Sequence, residues 1–214
     1  MIRTIYLLML FLFKTFFYLK NRILACKAYT FLQQLFHFTY LRYFGVETEF
    51  GNVTLVGLPI IKKHKNSKIV LGKGVTLVSS SHGNVAGINH PVILATLAEG
   101  ANIHLEGCGI SGSSICAVKS IKIGKNSGLG ANSSVYDTDF HVKDFSRNNQ
   151  KSIRDAKANP VEIGENVWVA ANSLILKGVT IGNNAVVGAG SIVRNSIPEN
   201  TLVIGNPARE LRKI

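Results

Sequence analysis

Acidic side chains are scarce in this 214-residue chain, and the first 44 residues contain none. That opening stretch also lacks glycine and proline: all 20 glycines and all five prolines lie at or after Gly45. Without helix breakers it cannot be a turn-rich region and reads as one or two helices. Cysteine is limited to Cys26, Cys108 and Cys116, too few for a disulfide framework, so a reducing compartment is the expectation. Charged residues make up only 17% of the chain against 46% hydrophobic, which argues against intrinsic disorder. No run reaches the roughly 20 apolar residues of an untilted membrane span. The nearest, Ile5 to Leu19, is interrupted by Lys14 and Thr15.

The net charge of +12 favours anionic partners such as phosphates, acidic glycans or an anionic membrane face. Six bases (Arg3, Lys14, Lys20, Arg22, Lys27, Arg42) and eight of the 11 phenylalanines precede Gly45. Basic residues at the edges of an apolar helix suit an interfacial segment meeting anionic headgroups, and membrane association is the expectation. A secretory signal and a helix packed on the main domain are the alternatives; no small-residue cleavage pattern supports the signal. Residues 24–44 continue as a second apolar helix. Nucleic acid is not an expected partner, because no basic stripe is interleaved with aromatics. The sequence divides into an apolar and basic segment at 1–45, a main domain at 46–205 with an inserted loop at 136–160, and a basic tail at 206–214.

What fills the main domain is a period of six. Aliphatic residues recur at Ile163, Val169, Ile175, Ile181, Val187 and Val193, and in the same phase at Ile123, Leu129 and Val135, and at Leu71 and Leu77. Neither a 3.6-residue helix nor a two-residue strand alternation sustains that period. A short strand followed by a tight corner does, and three such sides close one coil of about 18 residues, a hexapeptide β-helix. Stacked coils bury one aliphatic column that no single coil could bury. Asn126, Asn166 and Asn184 fall at corners, where asparagine tolerates positive φ. The phase breaks at residues 80–92 and 136–160. Val135 and Ile163 are 28 residues apart, ten more than one coil, and insertions in a solenoid map to loops on one face.

Asp137-Thr138-Asp139-Phe140-His141 opens the second insertion. It is followed by Pro160-Val161-Glu162-Ile163-Gly164-Glu165-Asn166-Val167-Trp168, then Gly178-Val179-Thr180-Ile181-Gly182, Val187-Gly188-Ala189-Gly190-Ser191 and Gly205-Asn206-Pro207-Ala208-Arg209. In this order the segments resemble the hexapeptide-repeat acyltransferases of the maltose/galactoside O-acetyltransferase-like group. Within it they are similar to the O-acetyltransferases of bacterial capsule, lipopolysaccharide and exopolysaccharide biosynthesis. The resemblance is strong over about residues 100–212, weaker over 46–99, and does not reach 1–44.

The resemblance implies an all-β fold, a left-handed parallel β-helix with an N-terminal helical extension. It implies a homotrimer with acetyl-CoA lying in clefts between subunits, a sugar or glycan acceptor, and no metal. Direct transfer with a histidine general base is the implied mechanism. A sugar hydroxyl needs a base to take its proton, and histidine titrates in the right range. His141 is that base by position; Asp139 or Asp137 would orient its imidazole. Alternation puts Asp137, Asp139 and His141 on one side if the stretch is extended. Asp137 could instead bind the sugar. Ser111 and Ser113 match a coil that contacts the acceptor in similar proteins.

For the cofactor, Ala171 matches the position whose N–H faces the oxyanion. Trp168 is placed beside the cofactor arm or the acceptor, and Ala189 and Gly190 along the pantetheine groove. Arg209 and Arg212 match bases on the nucleotide; Lys177 and Arg194 are further candidates. Arg194-Asn195 stands where relatives often have Thr-Lys, which shifts the basic residue by one.

The N-terminal segment favours an acceptor built on a lipid carrier at the cytoplasmic face of the inner membrane. A small soluble sugar or antibiotic is the second acceptor class. A non-catalytic scaffold and a zinc-dependent carbonic anhydrase of the same fold are further alternatives; His64, His82, His90 and His104 lack the close spacing of a zinc site.

Overall fold

The computed structural model describes residues 23–142 and 156–214. The expectation for Ile5–Leu19 lies outside them. Among the described residues, helix α1 (Ile23–Tyr43) is followed by nineteen strands in three sheets. The first sheet stacks β1 (Val53–Val56), β4 (Val75–Val78), β7 (Gly109–Ser111), β10 (Gly128–Leu129), β13 (Trp168–Val169), β16 (Val186–Val187), β18 (Thr201–Gly205) and β19 (Ala208–Lys213). The second stacks β2 (Ile60–Lys63), β5 (Ile93–Thr96), β8 (Ser114–Ala117), β11 (Ser134–Tyr136), β14 (Leu174–Ile175) and β17 (Ile192–Val193). The third stacks β3 (Lys68–Leu71), β6 (Asn102–Leu105), β9 (Ser120–Ile123), β12 (Val161–Ile163) and β15 (Thr180–Ile181). The chain visits the sheets in rotation, so each is one side of a three-sided rod.

Every strand pair is parallel except β18 with β19. Trp168 pairs with Val186, 18 residues on, which is one coil. The six aliphatics from Ile163 to Val193 are each at most 2% exposed and join one core with Leu71, Leu77, Leu129 and Val135. Each such side chain contributes roughly 1.5–3 kcal/mol on burial, so the column holds the coils in register.

The corners carry the strain. Asn126, Asn166 and Asn184 have φ of 57°, 56° and 59°, and Asn200 one of 53°. Their side chains form a ladder: each Nδ2 donates to the next Oδ1, at 3.2, 3.1 and 2.9 Å. The amide therefore turns the chain and ties neighbouring coils together.

Two expectations change. Val135 pairs with Ile175, not Ile163. Val135 and Ile163 lie on adjacent sides of the rod, so the excess in the second insertion is 22 residues over an 18-residue coil rather than ten. Residues 206–214 are no free tail: β19 folds back on β18 and extends the first sheet. At the other end α1 covers the first coil, with Leu41 fully buried and the Tyr40 hydroxyl donating to the Pro59 carbonyl at 2.7 Å. No helix among the described residues is long and apolar enough to cross a membrane.

Candidate active site

A groove of about 540 Å³ runs over the first sheet, lined by Thr76, Asn84, Ser111, Gly128, Trp168 and Ala171 among others. Trp168 stands on the outer face of β13 and is 52% exposed. Its six-membered ring lies on Gly128, where a Cβ would come within 2.5 Å of it. Glycine at 128 is what allows the ring to lie down on the sheet. Ala171 sits at the corner after β13. Its carbonyl accepts the Gly190 N–H at 2.9 Å, while its own N–H has no backbone acceptor among the described residues. Exposed Ala189 and Gly190 occupy the same corner one coil further on.

Arg209 and Arg212 are exposed on β19, three strands beyond Trp168 in the same sheet. At about 4.8 Å per strand this is roughly 14 Å. They pair with Ile204 and Leu202, whose side chains lie outside the core, so both arginines project from the groove side. Trp168, Ala171, Ala189, Gly190, Arg209 and Arg212 are thus brought to one side of one chain.

His141 is placed elsewhere. The insertion leaves β11 at Tyr136, on the second sheet. Its two arms pair at the root through the Thr138–Ala158 bridge, with Asn159 N–H donating to the Asp137 carbonyl at 2.8 Å. Phe140 has a φ of 61° and packs edge-on against Tyr136, ring centroids 5.0 Å apart. The His141 N–H turns back to the Asp139 carbonyl at 2.7 Å. The stretch is therefore not extended, and alternation does not govern which side His141 takes. His141 is exposed, on the insertion that leaves the second sheet and returns to the third, two residues beyond the Asp139–Lys177 contact, whereas Trp168 stands on the first sheet.

Asp137 departs from both roles expected of it. It is fully buried, and its two carboxylate oxygens accept the N–H groups of Val118 and Lys119, each at 2.7 Å. Burial pushes its pKa up against the downward pull of those bonds. It braces the neighbouring coil and has no free face for an imidazole or a sugar. Asp139 is half-buried and pairs with the Lys177 ammonium. That pairing removes Lys177 from the phosphate candidates, since its charge is met by a carboxylate on another face. Arg194 follows β17 on the second sheet, exposed and apart from Arg209 and Arg212.

Ser113 is also corrected. Its side chain is buried and its hydroxyl donates to the carbonyls of Ser111 and Gly130, so it has no access to an acceptor. Ser111 does line the groove. Thr76, Asn84 and Ala86 line it too, and sequence reasoning missed them; the broken phase at 80–92 was the available signal.

The thiols of Cys108 and Cys116 are ill suited to nucleophilic chemistry: burial pushes Cys108 up to about 12 and Cys116 up to about 11. His104 lies on β6, while His82 and His90 lie in the first insertion, and no three His, Cys, Asp or Glu among the described residues converge as metal ligands.

Residues 160–195 match the family model described as bacterial transferase hexapeptide (six repeats). The chain is 37% identical over 106 residues to the Escherichia coli protein described as "Putative lipopolysaccharide biosynthesis O-acetyl transferase WbbJ", a match covering 46% of this chain and 53% of that protein. The chain spans about half the length of the curated relatives it matches. Among solved structures it is similar to a serine-to-alanine mutant of AntD, an N-acyltransferase from Bacillus cereus, in complex with dTDP-4-amino-4,6-dideoxyglucose and coenzyme A. That likeness has a TM-score of 0.60 and 21% identity, over 82% of this chain and 88% of the other. A hexapeptide-repeat-containing acetyltransferase from Vibrio cholerae gives a TM-score of 0.52 and 22% identity, over 84% and 80% of the two chains. The fold is accordingly the left-handed β-helix of hexapeptide-repeat proteins.

Proposed function

Starting from a hexapeptide-repeat rod whose coils carry the transferase pattern, we propose that this protein is an acetyl-CoA-dependent O-acetyltransferase acting on a sugar hydroxyl of a bacterial surface polysaccharide. One observation carries the reading: a ringed groove, a corner N–H without a backbone acceptor among the described residues and two exposed arginines follow one another along one sheet, in the order a thioester, its arm and its phosphates require. The naming of the Escherichia coli relative as a lipopolysaccharide O-acetyl transferase supports the choice of acceptor.

In this reading acetyl-CoA lies along the first sheet. Arg209 and Arg212 meet its phosphates, Ala189 and Gly190 flank the pantetheine arm, and the thioester reaches Trp168 and Ala171. His141 of a neighbouring protomer takes the proton of the acceptor hydroxyl. The alkoxide oxygen attacks the thioester carbonyl, and the Ala171 N–H donates to the resulting oxyanion. Collapse breaks the C–S bond, and the imidazolium returns its proton to the coenzyme A thiolate. Asp139, held by Lys177, orients the imidazole. Because His141 and the groove lie on different sides of one chain, each site uses two chains of a homotrimer.

The apolar and basic residues 1–44 favour a lipid-linked acceptor at the cytoplasmic face of the inner membrane. Thiol release from acetyl-CoA should fall roughly 10²–10⁴-fold in His141→Ala with no change in melting temperature. The surface glycan of cells carrying that variant should lose its ester-linked acetyl by mass spectrometry. An unchanged rate would remove the general base from this account.

A further inference from the structure

The outward positions of the first sheet form a column in register: Thr54, Thr76, Gly109, Gly128, Trp168, Val186, Leu202. Two glycines interrupt it, for different reasons. Gly128 lies under the indole of Trp168 and could not bear a Cβ. Gly109 is exposed, has no positive φ, and a Cβ there would meet nothing within 4 Å. All the other glycines either adopt positive φ or have a neighbour a Cβ would press against. Neither backbone conformation nor packing calls for glycine at 109, although a strand interior disfavours it. What glycine does there is keep the groove floor bare between Thr76 and the Trp168 ring, a gap of about 10 Å from two strand spacings.

The walls of that gap are built rather than incidental. The first insertion closes one side. Ile88 packs over Gly112, and Asn132 clasps the loop by accepting the Asn89 N–H at 2.7 Å and donating to the Gly87 carbonyl at 3.3 Å. Asn84 lines the groove with its Oδ1 fixed on the Ala86 N–H at 2.9 Å, which leaves its amide N–H groups to donate outward. Thr76 and Ser111 add hydroxyls. Small polar groups around an apolar ring face suit a ligand with one apolar face and many hydroxyls.

We propose that the bare floor at Gly109 is a pyranose subsite, where one sugar ring lies against Trp168 and hydrogen-bonds to Thr76, Ser111 and Asn84, so that the 80–92 insertion selects the acceptor. This rests on the acetyltransferase reading and assigns its acceptor specificity to residues of the first coils.

Trp168 is the chain's single tryptophan, so its emission reports on this gap. The full-length protein is titrated with methyl α-D-glucopyranoside, methyl α-D-galactopyranoside and N-acetylglucosamine, and separately with coenzyme A. At least one sugar should shift the emission at millimolar concentration. Gly109→Val should abolish that response, with at least a tenfold loss of affinity, and melt at the same temperature or higher. Asn84→Ala should weaken sugar binding about fivefold. Coenzyme A affinity should stay within twofold in both variants. A Gly109→Val protein that binds sugar like the parent would overturn the subsite. So would a parent protein that answers to none of the three sugars, or a variant whose oligomeric state changes, which would make the gap a contact between copies. Loss of coenzyme A binding by the parent itself would instead sink the transferase reading.

Discussion

Above Pro160 the rod is unbroken, and below it two insertions interrupt the same register. In the upper coils every sixth residue from Ile163 to Val193 is a buried aliphatic, and Asn166, Asn184 and Asn200 continue one amide ladder. In the lower coils a buried carboxylate braces a neighbouring coil, a phenylalanine takes a left-handed conformation, and a glycine occupies an outward strand position with nothing pressing on it. The regular part explains itself by stacking. The irregular part retains features that stacking does not require, and those features border the groove or the insertion that bears His141.

The comparison breaks first if the upper column is not the source of cohesion. Ile175→Ala removes a fully buried side chain from the middle of the column. It should cost about 2–5 kcal/mol in equilibrium denaturation, against no loss for the outward Gly109→Val. Asn166→Ala probes the ladder at a rung bonded on both sides. It forces a Cβ residue without the stabilising amide into φ of 56° and should cost roughly 1–2 kcal/mol in the same measurement.

The smallest effect belongs to the lower coils. Burial raises the pKa of Asp137. A carboxyl raised on folding stabilises the fold at acid pH, and that contribution is lost as pH rises from about 4 through the raised value. Asp137→Asn should therefore flatten this component in thermal melts between pH 4 and 7, seen as a difference curve against the parent.

The same division governs what could be read from the sequence. The hexad pattern identified the core column, and corner asparagines identified the left-handed turns, because both are local and periodic. The insertions obey no period. Nothing in Asp139-Phe140-His141 signals a left-handed phenylalanine, and Lys177 meets Asp139, 38 residues earlier in the chain, only because β14 stacks on β11 beside the root of the insertion. Asp137 looked like a triad carboxylate until three-dimensional placement put two backbone N–H groups on it. Arg209-Glu210-Leu211-Arg212-Lys213 has no apolar alternation and read as a tail; it becomes β19 because the edge of β18 would otherwise be unpaired. Gly109 was indistinguishable from a corner glycine until its φ and its empty surroundings were known.

The central claim is that the imidazole of one chain serves the groove of another. Complementation tests it directly. His141→Ala and Arg209→Glu/Arg212→Glu chains, each inactive alone, are co-expressed, purified as mixed assemblies through two different tags, and assayed for acetyl-CoA-dependent thiol release. Sites pairing an intact histidine from one chain with an intact groove from the other should restore a clear fraction of parental activity. Mixed assemblies as inactive as either parent variant would place histidine and groove in the same chain and contradict the account.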